Sequence, residues 1–575
     1  MPRAESPARA RALVAASACA AYGVTLISHG WPRDDRWLIL EHPLLRAGWP
    51  GARELLTSGY VQPLMGADAA IREWRPLLSL SFLLQRVTTG FAPLPFHAVN
   101  LALHAAVCIL VLEAFRRRLP FRAAVAGAML YAVLPVHAEV VAYLSSRSEL
   151  LCALSVLGAW LLLGAPEKPS PRRVAAGAAA YLAGSLSKET ALLFPLFLAL
   201  ADWTFAGRLP WERERLRVHL ALAAAAALVM VGRAVVLPSL IGGGMPYFAG
   251  TPPLSRVLTL AKFWTWSYAR PAALGVGLCT DFARPLVADA RAGDAAAWTA
   301  LIGWTALFAA GARAVLRREA WGFWLIAPCL FLLPTSHLLM ELDTLGAQRF
   351  LYLPCLGLAA GGGALFARAE SRRRAAARAA RAAFAAAFLW LGARAAVRAA
   401  DWRDDESYYR AASACNPVSA KARAGLGLAY IRAGKTAEGE AALNEAVRLN
   451  PGLLDPVLNL GILAYDRGDL AAASAHAARA LAISPDAPDA LTLRALLDER
   501  DGDPAGAAAA LGRAVAVRPD DYVARFDLAR ILAAQGRADE AADQLAECVR
   551  LAPDRAARDE ARAWRERLLA ERRSR

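Results

Sequence analysis

The 575-residue chain is poor in the residues that build metal clusters and covalent frameworks. It holds eight cysteines, none spaced as CxxC, and Cys19, Cys108, Cys152, Cys329 and Cys355 lie inside apolar runs. Neither a zinc site nor a disulfide framework is indicated. Acid is in deficit as well: 50 Asp and Glu stand against 66 Lys and Arg, a net charge of +16. In a soluble protein that balance would suggest nucleic acid. Here many of the arginines sit in short loops between apolar runs, where the positive-inside rule accounts for them, and no nucleic-acid partner is expected. What the chain has in abundance is long apolar sequence. Its mean hydropathy is positive although 20% of residues are charged, so polar and apolar residues must be segregated along it.

The segregation is sharp and falls near residue 400. Up to Ala400, apolar runs of roughly 14 to 22 residues alternate with arginine-rich loops, as in a polytopic helical membrane protein. Helices are expected at 12–28, 97–115, 123–142, 149–164, 174–187, 190–206, 217–237, 296–316, 320–334, 349–367 and 382–399, about eleven spans in all. The first run follows Arg3, Arg9 and Arg11 and has the outline of a signal peptide, but the many spans after it favour a retained helix. With the amino terminus in the cytoplasm, Arg116–Arg118, Lys168 with Arg172 and Arg173, Arg213 with Arg215 and Arg217, Arg317–Arg318, and Arg372–Arg374 with Arg378 and Arg381 all fall on one side. The positive-inside rule makes that side cytoplasmic. The opposite face then receives Asp34–Asp35, residues 135–149, 185–189 and 345–354, and, because the count is odd, everything after residue 400.

Beyond Trp402 a repeat takes over. Pro417, Pro451, Pro485, Pro519 and Pro553 are 34 residues apart, and Gly434, Gly468, Gly502 and Gly536 each follow a proline by 17. Small residues recur in step at Gly427, Gly461, Ala495 and Ala529, and again at Gly439, Ala473, Ala507 and Ala541. Glycine ends a first helix, small residues let a second approach it, and proline closes the unit. The period and pattern are similar to tetratricopeptide repeats: a half repeat, four full repeats and a capping helix. Arg423, Val457, Leu491 and Arg525 stand where the consensus has its opening tryptophan. Such an array offers a groove for an acceptor or partner protein and no recurring polar cluster for catalysis.

On the non-cytoplasmic face, His137 with Glu139 has the look of a metal pair, but two ligands without a third specify nothing, so a divalent ion stays open. His97 and His104 share a helical face with Asn100 and read as interhelical hydrogen-bond partners. Asp34 and Asp35, flanked by Arg33 and Arg36, read either as a solvated acidic turn or as a functional pair. Arg147, Lys188 and Arg349 each border an apolar run and read either as snorkelling anchors or as phosphate ligands.

The ordered motifs W-P-R-D-D, W-R-P-L-L-S-L-S-F, F-H-A-V-N-L-A-L-H, L-P-V-H-A-E-V-V-A-Y-L-S-S-R-S-E-L-L, L-S-K-E-T-A and Q-R-F-L-Y-L-P, followed by repeats, resemble the transmembrane and tetratricopeptide-repeat protein O-mannosyltransferases. These are C-type glycosyltransferases that use polyprenyl-phosphate sugars, and the similarity covers nearly the whole chain. It implies an all-α architecture, with a GT-C-like transmembrane domain over 1–400 and a repeat solenoid over 401–575. It also implies a catalytic acid in the first non-cytoplasmic loop. A Ser or Thr hydroxyl needs a base as it attacks an anomeric carbon, whereas a lipid-phosphate leaving group needs little protonation, so one carboxylate suffices. Asp34 is expected as that base, with Asp35 orienting it or the acceptor. Arg147, Lys188 and Arg349 are expected to hold the donor phosphate. Glu149 and Glu189 are expected to position Arg147 and Lys188. Arg75, His137, Glu139, Gln348 and Tyr352 complete the candidates on this face.

The expected function is transfer of a hexose, mannose by resemblance, from the lipid-linked donor to protein hydroxyls outside the cytoplasm. The donor is a co-substrate, and membrane lipid surrounds the domain. The compact, alanine- and arginine-rich composition points to a bacterial inner membrane, with the active face and repeats in the periplasm. The rival readings are the same chemistry on a glycolipid or polysaccharide, a noncatalytic scaffold, and a transporter with helices interrupted at Pro135, Pro195 and Pro354.

Overall fold

In the computed structural model the described residues are 6–27, 30–61, 73–164, 169–237, 247–282, 286–339, 342, 344–552 and 555–574; all their regular structure is helical. Lys168 and Pro553 lie outside these residues. The chain forms two compact units, Met1–Pro417 and Val418–Arg575.

In the first unit seven helices are long and apolar enough to cross a bilayer: Pro7–Ile27, Pro93–Arg116, Leu144–Leu163, Glu189–Ala206, Arg213–Val236, Ala295–Leu316 and Arg374–Ala400. Phe121–Ala132 and Pro135–Ala142 make an eighth if they are taken as one span bent by 49°. The bend has a local cause, because Pro135 lacks an N–H and disfavours helical backbone at Leu134. The remaining expected segments are helical but shorter. Pro171–Ser187 has 17 residues and Cys355–Glu370 has 16, while Ala320–Ile326 passes into a tight 3₁₀ turn, Pro328–Thr335, with Pro334 inside it. Seven or, with the bent pair, eight helices among the described residues thus have the length and apolarity of a span, and the expected count of about eleven is not confirmed. Apolar side chains on the long helices face outward, among them Val231 at 61% exposure, Ile302 at 65% and Leu389 at 68%, as lipid-facing positions do.

The stretch after the first span is folded. A π-turn at Arg36–Leu40 and short helices Pro43–Ala47 and Ala52–Thr57 pack with helix Pro76–Thr89. Leu38, Ile39, Leu45, Leu55, Leu78, Phe82 and Phe96 close over Leu144, which joins this core to the segment after Pro135. Each such side chain contributes roughly 1.5–3 kcal/mol by burial, enough to hold Asp34 and Asp35 against residues 143–145.

Cysteine provides a correction. Cys279 and Cys415, 136 residues apart, form a disulfide with Cα atoms 5.3 Å apart. Neither lies in a spacing motif, so the bond is a product of tertiary structure alone.

The second unit stacks helix pairs Ala420–Arg432 with Thr436–Leu449, Leu454–Asp466 with Leu470–Ile483, Pro488–Arg500 with Pro504–Val517, and Tyr522–Ala534 with Ala538–Leu551, then Arg555–Ser574. Gly434, Gly468, Gly502 and Gly536 take φ between +74° and +79°, the left-handed conformation that ends a helix. In the first pair a Cβ on Gly427 would stand 2.9 Å from the Gly439 carbonyl, and the converse distance is also 2.9 Å. That mutual approach explains the small residues at these register positions.

Candidate functional site

The site is built on the turn that follows the first span. Arg33 adopts φ +54°, a conformation that an L-residue enters only when its surroundings hold it there. The turn sends the two adjacent carboxylates into different environments. Asp35 is wholly buried and accepts hydrogen bonds from the Leu144 N–H (2.8 Å), the Ser145 N–H (2.8 Å) and the Ser145 hydroxyl (2.5 Å). Burial lifts its carboxyl from 3.8 to about 7, although the hydrogen bonds from Ser145 and Leu144 oppose the rise. Asp34 keeps a third of its side chain exposed. It accepts from the Tyr143 hydroxyl at 2.8 Å and the Trp37 indole N–H at 3.2 Å, with the Arg33 Nε 3.4 Å away. A carboxylate has about four lone-pair sites, so Asp34 retains room for an incoming hydroxyl. The structure thus gives the two acids unequal positions: Asp34 faces outward, and Asp35 ties the turn to residues 144–145.

The candidate cations are brought together in part. Arg349 Cζ and Lys188 Nζ each lie 5.2 Å from the centroid of the Phe350 ring. Each also holds a carboxylate, Arg349 pairing with Glu139 and Lys188 with Glu149. Glu139 further accepts from the Arg349 backbone N–H at 3.1 Å, so the break at Pro135 positions the Q-R-F motif. A narrow cleft lined by Glu149, Lys188, Thr190, Phe331, Thr335, Phe350 and Leu353 opens beside Lys188 and the Phe350 ring. Arg349 also stands within electrostatic reach of Tyr143 and Arg33, which links it to the Asp34 turn.

Arg147 is placed differently. It is 1% exposed, and no carboxylate pairs with it among the described residues. Its Nε donates to Asn100 Oδ1 at 2.7 Å, its terminal nitrogens donate to the Ser81 hydroxyl (3.4 Å) and the Phe96 carbonyl (3.2 Å), and its guanidinium lies 4.5 Å from the Phe82 ring centroid. The expected support from Glu149 or Glu189 is absent: Glu149 pairs with Lys188, and Glu189 bridges Arg233 (2.9 Å) and Arg75 (3.1 Å). Arg75 also pairs with Glu73 at 2.8 Å.

His137 and Tyr352 belong to a buried aromatic cluster. The His137 ring lies 4.6 Å from Tyr131, 4.7 Å from Tyr352 and 5.9 Å from His104. His104 Nδ1 is 2.8 Å from the Tyr352 hydroxyl, and the Tyr131 hydroxyl donates to the Tyr352 carbonyl at 2.7 Å. Gln348 is also fully buried. His137 and Glu139 acquire no third ligand: among the described residues no group of three His, Cys, Asp or Glu side chains could hold an ion. Sequence reasoning gave no site role to Tyr143, Trp37 or Phe350, and read Asn100 only as sharing the helical face of His97 and His104. Each sits within a quoted motif or a few residues from one, but nothing in its spacing distinguishes it.

Fold and site together define an all-helical membrane protein that carries a tetratricopeptide-repeat solenoid, with a partly exposed acid beside its first span. Tetratricopeptide repeat models match residues 391–453 and 500–565. The chain's curated homologues are the TMTC protein O-mannosyl-transferases, as the ordered motifs imply. It is 34% identical to Protein O-mannosyl-transferase TMTC1 of Homo sapiens over 161 residues, which cover 27% of this chain and 18% of that protein. It is 31% identical to Tmtc2 of Drosophila melanogaster over 236 residues, covering 40% and 25%. With TMTC4 of Mus musculus it shares 27% identity over 428 residues, covering 63% of this chain and 56% of the relative. The matches thus span from under a fifth to little more than half of these relatives' length.

Proposed function

We propose that the protein is a membrane O-mannosyltransferase that moves a hexose from a polyprenyl-phosphate carrier to Ser or Thr hydroxyls of proteins, on the non-cytoplasmic side of a bacterial inner membrane. The carrying observation is the unequal pair at the first span: Asp35 is consumed by three hydrogen bonds, while Asp34 is partly open and oriented by Tyr143 and Trp37. Asp34 takes the proton of the acceptor hydroxyl as its oxygen attacks the anomeric carbon, and the bond from that carbon to the lipid phosphate breaks. Arg349 and Lys188, beside the cleft at Phe350, attract the phosphate that leaves; Glu139 and Glu149 fix their positions when no donor is bound. The homologues' names support mannose as the sugar and protein as the acceptor. The disulfide supports the orientation, because such bonds persist in oxidising compartments and the topology read from the basic loops gives Cys279 and Cys415 the same face as Asp34. The repeats present or recruit the acceptor protein.

The test is transfer by purified full-length protein from a polyprenyl-phosphate mannose to a Ser/Thr-containing protein, read as added hexose mass. Hexose on protein supports the proposal. Transfer to glycolipid only, or no transfer with intact donor binding, would replace it by a different acceptor or by a scaffold role.

A further inference from the structure

We propose that the segment Asp401–Cys415, which follows the last long apolar helix, is a positioning brace that sets the conformation of the Asp34 turn and is itself locked by the Cys279–Cys415 disulfide. The proposal deepens the assignment of Asp34 and rests on it. All the residues concerned lie in the first compact unit.

Contacts on the backbone and on the rings fasten the two segments. A Cβ on Gly30 would stand 2.6 Å from the Arg403 carbonyl oxygen and 3.3 Å from the Asp404 Cα, so the chains cross at a distance that only glycine allows. The Arg33 backbone N–H donates to Asp405 Oδ1 at 2.6 Å, a charge-assisted bond made by the residue whose φ is +54°. The Arg33 guanidinium lies 5.3 Å from the Tyr408 ring centroid and 6.0 Å from that of Tyr143. Trp402, 1% exposed, stacks on Tyr143 at 5.0 Å and packs on Tyr408 at 4.8 Å. Tyr143 in turn donates to Asp34. The brace therefore reaches the carboxylate through the backbone at Arg33 and through the ring of Tyr143.

The brace is fixed at its other end too. Asp404 caps helix Asp405–Cys415 by accepting from the Ser407 N–H at 2.7 Å. The Tyr408 hydroxyl donates to the Thr280 carbonyl at 3.4 Å, Asn416 donates to Asp281 at 3.2 Å, and Cys415 is bonded to Cys279. The consequence for Asp34 is geometric. Asp35 is held by residues 144–145, so relaxation of Arg33 to an ordinary negative φ swings Asp34 and leaves Asp35 in place. A left-handed arginine needs such a hold, whereas glycine adopts the same conformation at no steric cost.

The test uses full-length protein in nanodiscs, with Asp405→Ala, Asp405→Asn, Cys415→Ser and the double variant Asp405→Ala/Arg33→Gly. Hydrogen exchange of the peptide covering residues 30–37 is read alongside single-turnover sugar transfer. Asp405→Ala should speed exchange of amides 33–37 about tenfold and lower the transfer rate about tenfold, with donor KM unchanged. Asp405→Asn keeps an acceptor oxygen and should recover most of both losses; adding Arg33→Gly to Asp405→Ala should also restore the turn. Cys415→Ser leaves the noncovalent contacts in place and should move the same amides in the same direction by less. Faster exchange confined to helix 405–415, with residues 33–37 as protected as in the wild type, would overturn the brace. A wild-type protein that transfers no sugar would refute the proposed activity, while the exchange data would still decide whether the brace holds the turn.

Discussion

Replacing Asp35 by Asn tests the buried half of the acidic pair through its pH dependence. The wild-type carboxyl is lifted from 3.8 to about 7, chiefly by burial, so the fold prefers its protonated form. Its contribution to stability is complete below the unfolded value and is lost as pH rises through the folded one. A change of that size corresponds to about 4 kcal/mol between pH 4 and 8. Asn does not titrate. It also places an amide N–H₂ among three donors, the Leu144 N–H, Ser145 N–H and Ser145 hydroxyl, and leaves at least one unsatisfied at a cost of about 1–3 kcal/mol. Asp35→Asn should therefore be less stable than the wild type near pH 4 and gain on it by about 4 kcal/mol by pH 8. Thermal unfolding in detergent at several pH values measures the gap. A gap that stays constant, or one that moves against Asn as pH rises, would show that the Leu144 and Ser145 donors outweigh burial and that the carboxylate is held charged.

Three further outcomes are expected. Cysteines introduced at Gly434 and Gly468 should label from the non-cytoplasmic side and those at Arg117 and Arg373 from the cytoplasm; repeats labelled from the cytoplasm would remove acceptor presentation from the account. Arg147→Lys loses the fork shared by Asn100, Ser81 and the Phe96 carbonyl, which should cost about 2–4 kcal/mol of stability, whereas Arg349→Lys should chiefly weaken donor saturation; the reverse pattern in melting and donor titration would exchange their roles. Removing residues 418–575 should leave the first unit inserted and folded and lower transfer to full protein acceptors more than to a short peptide. Equal losses for both acceptors would mean that the repeats only stabilise.

The solenoid was legible because its signal is local: the helix ends at 434, 468, 502 and 536 take positive φ, which favours glycine, and they recur at the period of the fold. The membrane unit was legible as helices but less so as spans, since Pro135, Pro328 and Pro334 break or tighten runs that composition alone reads as continuous. At the site, the acids and cations stood out by their cost near hydrocarbon, but their partners did not. Lys188 meets Glu149 from 39 residues away and Arg349 meets Glu139 from 210, and no spacing rule encodes such pairs. The same holds for Cys279 and Cys415, and for Asp405, whose bond to the Arg33 N–H crosses 372 residues. Asp34 and Asp35 are adjacent in sequence and identical in type, and their different surroundings, with Asp35 buried and Asp34 partly exposed beside the left-handed turn at Arg33, are encoded by no spacing in the sequence.

The central claim is that Asp34 is the base. Asp34→Asn keeps the side chain's size and an oxygen for the Trp37 N–H, and its N–H₂ can donate to the Tyr143 hydroxyl, but it cannot accept the acceptor's proton. Single-turnover transfer from a polyprenyl-phosphate sugar by purified protein in nanodiscs should fall by about 10²- to 10⁴-fold, with melting temperature and donor binding nearly unchanged. Transfer at the wild-type rate would contradict the account and reduce the pair to an interfacial turn.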